Sequence, residues 1–194
     1  MSGEWIEEGT DYRAAPPTLG VRTIRSSDGH ARETVEVFAP GMILTVDRNQ
    51  PANRSNDVTF KRLYARVMPH TIRRGSRSCE SCHNDPVALG YGRGTLRLER
   101  TAGASRWTFT PEHAPSAYDR RPADAWIGFL ETRGDASSTR ADVRPFTADE
   151  QKRILTAGAC LTCHRGDSAV MRDAIADFTG VRRRMSRSCV LPTY

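Results

Sequence analysis

The chain has 194 residues, of which 38% are hydrophobic and 7% are aromatic. Ordinary globular domains are roughly 45–50% apolar, so either part of the chain is disordered or something other than side chains fills its core. The formal net charge is +6, and nearly all basic residues are arginines because only Lys61 and Lys152 are lysines. No stretch approaches the roughly 18 consecutive apolar residues that a membrane helix needs, so we expect no membrane span.

The positive charge does not point to nucleic acid. The one dense basic run is residues 182–184, and no aromatic residues are interleaved with it. Proteins that bind single strands combine basic grooves with aromatic residues on which bases stack. We therefore expect no nucleic-acid partner.

The first 33 residues are polar, contain adjacent prolines, and predict an extended arm or linker. Residues 34–194 are expected to form one domain, whose first part, residues 34–110, is rich in β signals. Its expected elements are a strand over 34–38, a strand over 42–46 after the turn signal Pro40-Gly41, a β-prone run over 58–67, and a hairpin that pairs 95–98 with 107–110.

The second part, residues 111–194, is predicted to be helical. A short helix is expected over 124–130 and a loop over 131–146. Thr147 and Glu150 form a capping-box pattern that should start the next helix. A last helix, capped by Asp167 or Ser168 and ending near Gly180, should carry on one side the residues Val170, Met171, Ile175 and Phe178. The fold class is therefore α+β and irregular, with short hairpins and a few short helices.

Two identical CxxCH patterns carry the chemistry, at residues 79–83 and 160–164. In this pattern two cysteine sulfurs, about one helical turn apart, add to the two vinyl groups of one haem, and the histidine that follows ligates the iron. A chain with five cysteines and five histidines does not produce two such patterns by chance. We predict two covalent haem c groups, around which the domain packs, bound through Cys79, Cys82, His83, Cys160, Cys163 and His164. The haems would complete the sparse core, and their propionates suit arginine forks.

Zinc and dithiol chemistry are the alternatives for these cysteines. Zinc ribbons place their two CxxC pairs roughly 15–20 residues apart, whereas Cys82 and Cys160 are much further apart. Zinc also does not require a histidine directly after each pair. A dithiol redox motif would need a βαβ pattern around one CxxC, and none is visible. Haem is the favoured interpretation.

Each iron also needs a distal ligand or keeps an open face. His70 is the first choice because it follows Pro69 shortly before the first motif, His113 is second and His30 is third. The methionines Met68, Met171 and Met185 are further options, although methionine at helical spacing usually packs in a core. The expected metal ligands are thus His83, His164, His70 and His113.

Two longer segments resemble periplasmic multihaem cytochromes c. They comprise residues 69–72, 77–86 and 88–90, and then residues 144–147, Glu150 and residues 158–164. Together they are similar to the C-terminal dihaem region of larger proteins of the octahaem reductase and hydroxylamine-oxidoreductase kind, over about residues 35–165. This resemblance implies an electron-transfer module with bis-His haems that continues a chain of haems, with His70 as a distal ligand.

The leading hypothesis is electron transfer through two haems, with redox proteins or other haem-bearing subunits as partners. A second hypothesis is part of a multihaem oxidoreductase, whose open-site haem acts on a small nitrogen or sulfur oxyanion. A third is a zinc-binding interaction module. Haem attachment of this kind occurs outside the cytoplasm, so we expect a periplasmic location. Residues 1–8 lack the apolar region of a signal peptide, which favours a fragment of a longer protein. Cys189 is interpreted as a bystander or buried thiol, with an intermolecular disulfide or a further ligand as the alternatives.

Overall fold

The computed structural model describes residues 17–47, 58–66, 77–132 and 141–194. Its strands are β1 (Thr18–Arg25), β2 (Ala31–Asp47), β3 (Val58–Arg66), β4 (Gly94–Thr101), β5 (Ala104–Pro111) and β6 (Val143–Arg144). Its helices are α1 (Glu80–His83), α2 (Ala148–Leu161), α3 (Ala169–Ala176) and α4 (Phe178–Arg183). The chain is a mixed α and β protein with few, short helices. None of the helices in these ranges is long and apolar enough to cross a membrane.

The larger sheet has the strand order β3-β2-β1-β6. Its strand β1 lies inside the arm that was predicted over residues 1–33, and that prediction is wrong for residues 18–25. They pair antiparallel with β2 along their whole length, from Thr18 opposite Phe38 to Arg25 opposite Ala31. The β-branched residues of this strand favour a pleated sheet, and the overall polarity of the first 33 residues hides that signal.

Strand β2 replaces the two strands predicted over 34–38 and 42–46. The expected turn at Pro40-Gly41 is instead an irregularity within one strand, where the pairing with β3 shifts register between Pro40 and Ile43. A bulge of this kind accommodates a proline without ending the strand. The β-prone run over 58–67 is confirmed as β3. The loop predicted over 131–146 contains β6, which pairs Arg144 with Val21.

The predicted hairpin is confirmed as β4 and β5, which pair from Gly94–Pro111 to Thr101–Ala104. Gly103 in its turn has φ +85°, a conformation that favours glycine. Trp107 of β5 is buried, and its indole N–H donates to the Leu155 carbonyl at 2.9 Å. The hairpin is thereby fixed to α2. The core around this contact consists of Leu89, Tyr91, Trp107, Ile127, Leu155 and Ala159.

The helix predicted over 124–130 is wrong, because this segment is a series of turns. The backbone N–H groups of Trp126 and Ile127 both donate to the Gly90 carbonyl, at 2.8 and 3.0 Å, instead of to carbonyls one turn back. The Trp126 ring packs 4.2 Å from the Tyr64 ring and 5.5 Å from that of Phe38, measured between centroids. Ala125, Trp126 and Ile127 of this segment are buried without forming a helix, and Phe129 and Leu130 are partly buried.

A buried ion pair attaches the larger sheet to the loop that follows β5. Arg62 of β3 donates to both carboxylate oxygens of Asp119, at 2.8 and 2.9 Å, and to the Ala123 carbonyl at 2.8 Å. Breaking a buried pair of this kind costs roughly 3–5 kcal/mol, since it leaves one charge uncompensated.

The predicted capping box at the start of α2 is confirmed. Thr147 Oγ1 accepts from the Glu150 N–H, and the Glu150 carboxylate accepts from the Thr147 N–H at 2.8 Å. Arg144 donates to both oxygens of Glu150, at 2.8 and 3.0 Å, and to Glu33 at 3.0 Å. The Arg144 hydrogen bonds lower the pKa of Glu150 to about 2. Residues of β2, β6 and α2 thus meet at this helix end.

The single last helix expected after residue 168 is two helices, α3 and α4, separated at Asp177. The Asp177 carboxylate accepts from the Gly180 N–H at 2.9 Å and so caps α4. Of the predicted apolar side, Met171 is buried, whereas Ile175 is 81% exposed and Phe178 is 38% exposed. The prediction of a single helix with these four residues on one side is therefore wrong, because the chain breaks into two helices at Asp177.

We expect Glu150 to make stability depend on pH in acid. Its folded pKa of about 2 lies below the ordinary 4.5, so its contribution is complete above pH 4.5 and is lost as the pH falls towards 2. The Glu150→Gln variant should be less stable than the wild type at pH 6 by about 1 kcal/mol, a modest value because solvent screens the site. The difference should shrink between pH 4.5 and 2 in urea unfolding followed by circular dichroism.

Glu99→Gln is the matched control, because Glu99 pairs with Arg106 in an exposed ion pair. It should leave the pH profile unchanged. A Glu150→Gln profile parallel to that of the wild type over the whole range would contradict the role of the Arg144 contact.

Candidate functional site

Both CxxCH motifs form a single helical turn. In the first, the His83 N–H donates to the Cys79 carbonyl at 2.9 Å. In the second, which continues from the end of α2, the His164 N–H donates to the Cys160 carbonyl, also at 2.9 Å. Residues three apart on a helical turn lie on one face, so each pair of cysteines presents its sulfurs together, with the histidine next to them.

The two motifs pack against each other although they are far apart in sequence. A methyl group added at Gly158, just before the second motif, would collide with Asn84 Oδ1 and lie 3.0 Å from the His83 carbonyl oxygen. A methyl group added at Gly166, just after the second motif, would lie 2.7 Å from Cys79 Sγ. The absence of side chains at these two glycines therefore lets the second motif approach both ends of the first.

The ring of His83 is oriented by α2. Its Nδ1 atom lies 2.9 Å from the Ile154 carbonyl oxygen. A carbonyl only accepts hydrogen bonds, so Nδ1 carries the hydrogen, and in the neutral ring the lone pair is then on Nε2. Metal-bound histidines use this arrangement, in which the second ring nitrogen donates to a carbonyl or carboxylate. The half-buried His164 ring makes no comparable bond within the part of the chain that the structure describes.

The sulfurs of the second motif have contrasting environments. Cys163 is exposed, and Arg100 of β4 places a guanidinium nitrogen 3.3 Å from its Sγ. The hydrogen bonds from Arg100 and then Thr162 lower the pKa of the Cys163 thiol. Burial raises the pKa of the Cys160 thiol, and the nearby thiols of Cys189 and Cys163 raise it further. All five cysteines are free, and Cys189 lies beside the second motif.

The expected distal ligands are only partly within the described residues. His70 and Met68 lie outside them. His113 Nε2 is 3.8 Å from Asp124 Oδ2, and no hydrogen bond in the described ranges joins it to either motif. His30 is exposed in the turn between β1 and β2, where its carbonyl accepts from the Ser26 N–H.

The two other candidate methionine ligands, Met171 and Met185, lie before and after α4. Met171 is buried in α3 and Met185 is half-buried after α4.

The described residues contain no cluster of three or more His, Cys, Asp or Glu side chains arranged to hold a metal ion. The two CxxC pairs therefore do not converge on one four-sulfur site in these ranges. Each motif stands as a separate unit of two thiols and one imidazole.

Sequence reasoning missed the partners that orient the motifs. The Ile154 acceptor is a backbone atom and has no side-chain signal. Arg100 lies on the correctly predicted hairpin, but its contact depends on how the hairpin docks. Gly158 and Gly166 could have been found, because a small residue stands two positions before and two positions after the second motif.

Comparison with protein-family models, with curated proteins and with solved structures finds no match to this chain.

We expect the exposed Cys163 thiol to react first with iodoacetamide in the chain before haem attachment. The thiolate is the nucleophile, and Arg100 favours it at Cys163 while burial disfavours it at Cys160. Arg100→Gln should slow alkylation of Cys163 several-fold at pH 7.5, and Arg97→Gln on the same strand should not. Peptide mass mapping of timed samples measures both rates. Faster alkylation of Cys160 than of Cys163 would contradict these environments.

Proposed function

We propose that this chain is an electron-transfer protein that carries two covalently bound haem c groups, one on each CxxCH turn. The observation that carries the proposal is the arrangement of the two motifs. Far apart in sequence, they fold as the same helical turn and pack against each other at Gly158 and Gly166.

The donor set fits haem better than zinc. A structural zinc ion takes four protein ligands in a tetrahedron, whereas a haem iron already has four porphyrin nitrogens and takes one or two protein ligands. The described residues contain no cluster of three or more His, Cys, Asp or Glu side chains that could supply such a site. One histidine follows each cysteine pair directly in the sequence, and two sulfurs with one imidazole are the groups that one haem would need at each turn.

Each cysteine and histidine of the motifs would have its own part in this function. Cys79 and Cys82, like Cys160 and Cys163, would form thioether bonds, and His83 and His164 would ligate iron through Nε2. Haem c supplies an iron that cycles between two oxidation states. The Ile154 carbonyl holds the Nδ1 hydrogen of His83, which fixes the ring and raises its basicity as a ligand.

The packing of the two turns supports transfer between the two carriers. Because the first motif contacts both flanks of the second, an electron received at one attachment site would have the other as its nearest acceptor within the chain. We propose that the chain is a module of the multihaem cytochrome c kind, located in the periplasm, with redox proteins or other haem-bearing subunits as partners. His70 and His113 remain the proposed distal ligands.

Covalent haem content tests the proposal directly. The full chain would be produced with a secretion signal in a host that matures c-type haems, and measured by intact mass and by a pyridine haemochrome spectrum. We expect a mass increase of two haems in the wild type. Cys79→Ala/Cys82→Ala and Cys160→Ala/Cys163→Ala should each carry one haem fewer, and Cys189→Ala should keep both.

The outcomes separate the three hypotheses. Two haems with low-spin spectra support the electron carrier with a distal ligand on each iron. Two haems of which one is high-spin would instead favour the oxidoreductase, because one iron would keep an open face. A wild-type chain without covalent haem contradicts the proposal, and bound zinc in that chain would support the interaction module.

A further inference from the structure

The helices that follow the second motif expose an apolar surface. Ile175 of α3 is 81% exposed and Phe178 at the start of α4 is 38% exposed. In the described ranges, α3 and α4 pack mainly on each other and little on other helices or strands. Removing apolar surface from water is favourable, so a group that covers these side chains would stabilise this surface.

Uncompensated arginines border the apolar surface. Arg182 and Arg183 form the last turn of α4, and Arg184 and Arg187 follow it, all exposed. None of the four forms an ion pair with a carboxylate among the described residues, whereas Arg62, Arg144 and Arg165 do. The surface therefore combines apolar side chains with arginine guanidinium groups that have no carboxylate partner in the described ranges.

The segment that carries this surface leaves the second motif and returns to it. It starts directly after His164, and it ends at Val190, whose carbonyl accepts from Ser105 Oγ at 3.0 Å. Ser105 is the cross-strand partner of Arg100, and Arg100 contacts Cys163 Sγ. Residues 165–190, which we name the return segment, are thus anchored at the second motif at both ends.

We infer that the return segment covers the haem bound at Cys160 and Cys163, with Ile175 and Phe178 against the porphyrin and Arg182–184 paired with its propionates. The inference rests on the proposed function. Haem is an apolar plane with two carboxylates on one edge, and the surface offers the complementary set of groups. A bidentate arginine–carboxylate pair would also fix the orientation of the segment. Because both ends of the segment are anchored at the second motif, a haem attached there would lie nearer to the segment than any separate partner.

Hydrogen exchange tests which haem the return segment contacts. Exchange over residues 169–183 would be measured by mass spectrometry in the wild type, in Cys79→Ala/Cys82→Ala and in Cys160→Ala/Cys163→Ala. We expect exchange to become about tenfold faster only when the second haem is missing. Opening of the return segment then no longer exposes a covered porphyrin face to water, so it costs less free energy. Exchange in β1 and β2 is the internal reference and should be equal in all three proteins.

Two further variants separate the apolar and the charged contacts. Ile175→Asn/Phe178→Asn should speed exchange over 169–183 while both haems remain attached, and the exposed Val35→Asn, on β2, should have no effect there. Arg182→Gln/Arg183→Gln/Arg184→Gln should lower one of the two midpoint potentials, because positive charge near an iron favours its reduced state. Arg25→Gln/Arg32→Gln/Arg97→Gln is the charge-matched control and should leave both potentials unchanged.

The failure of this inference differs from the failure of the proposed function. A wild-type chain without covalent haem overturns both. If the wild type carries two haems but exchange over residues 169–183 is equal in all three proteins, only the inference is overturned. Protection that appears only when a reduced acidic flavodoxin or vesicles of anionic phospholipid are added also overturns it, and would identify the surface as a docking site for a protein or for a membrane.

Discussion

The structure depends on how helix α2 is held, and the buried amide of Gln151 holds it. Its oxygen accepts from the Tyr91 hydroxyl at 2.9 Å and from the Leu130 N–H at 2.8 Å. Its nitrogen donates to the Glu131 and Phe146 carbonyls, each at 3.0 Å. All four bonding positions of the amide are used, and leaving one buried partner unpaired costs roughly 1–3 kcal/mol. The rotation of α2 about its axis is thereby set.

Three carbonyls of α2 accept hydrogen bonds from side chains that are distant in sequence. The Lys152 carbonyl accepts from the Tyr194 hydroxyl at 3.1 Å, that of Ile154 from the His83 ring, and that of Leu155 from Trp107. The C-terminus, the first motif and the hairpin are therefore all positioned by one helix, which itself leads into the second motif. Burial raises the pKa of the Tyr91 hydroxyl, which keeps it protonated as the donor to Gln151.

Local signals in the sequence predicted local structure well. The capping box at Thr147, the hairpin β4–β5 and β3 depend on neighbouring residues, and all three are confirmed. The helix expected over 124–130 is wrong because the Gly90 carbonyl, distant in sequence, takes its N–H donors. For the site, the spacing within each motif predicts the haem-attachment residues, which stays a prediction, whereas the contact between the motifs arises from tertiary packing. A sequence pattern does not contain the position of α2 against the first motif.

The partner of the His83 ring has a consequence for how this chain tolerates change. The acceptor is a main-chain oxygen, so substitutions at position 154 that preserve the helix leave it in place. Only a displacement of the helix would remove it, and residues distant from His83 control that displacement. Selection on the first motif would therefore fall on remote positions such as Gln151, while residue 154 itself could vary among apolar side chains.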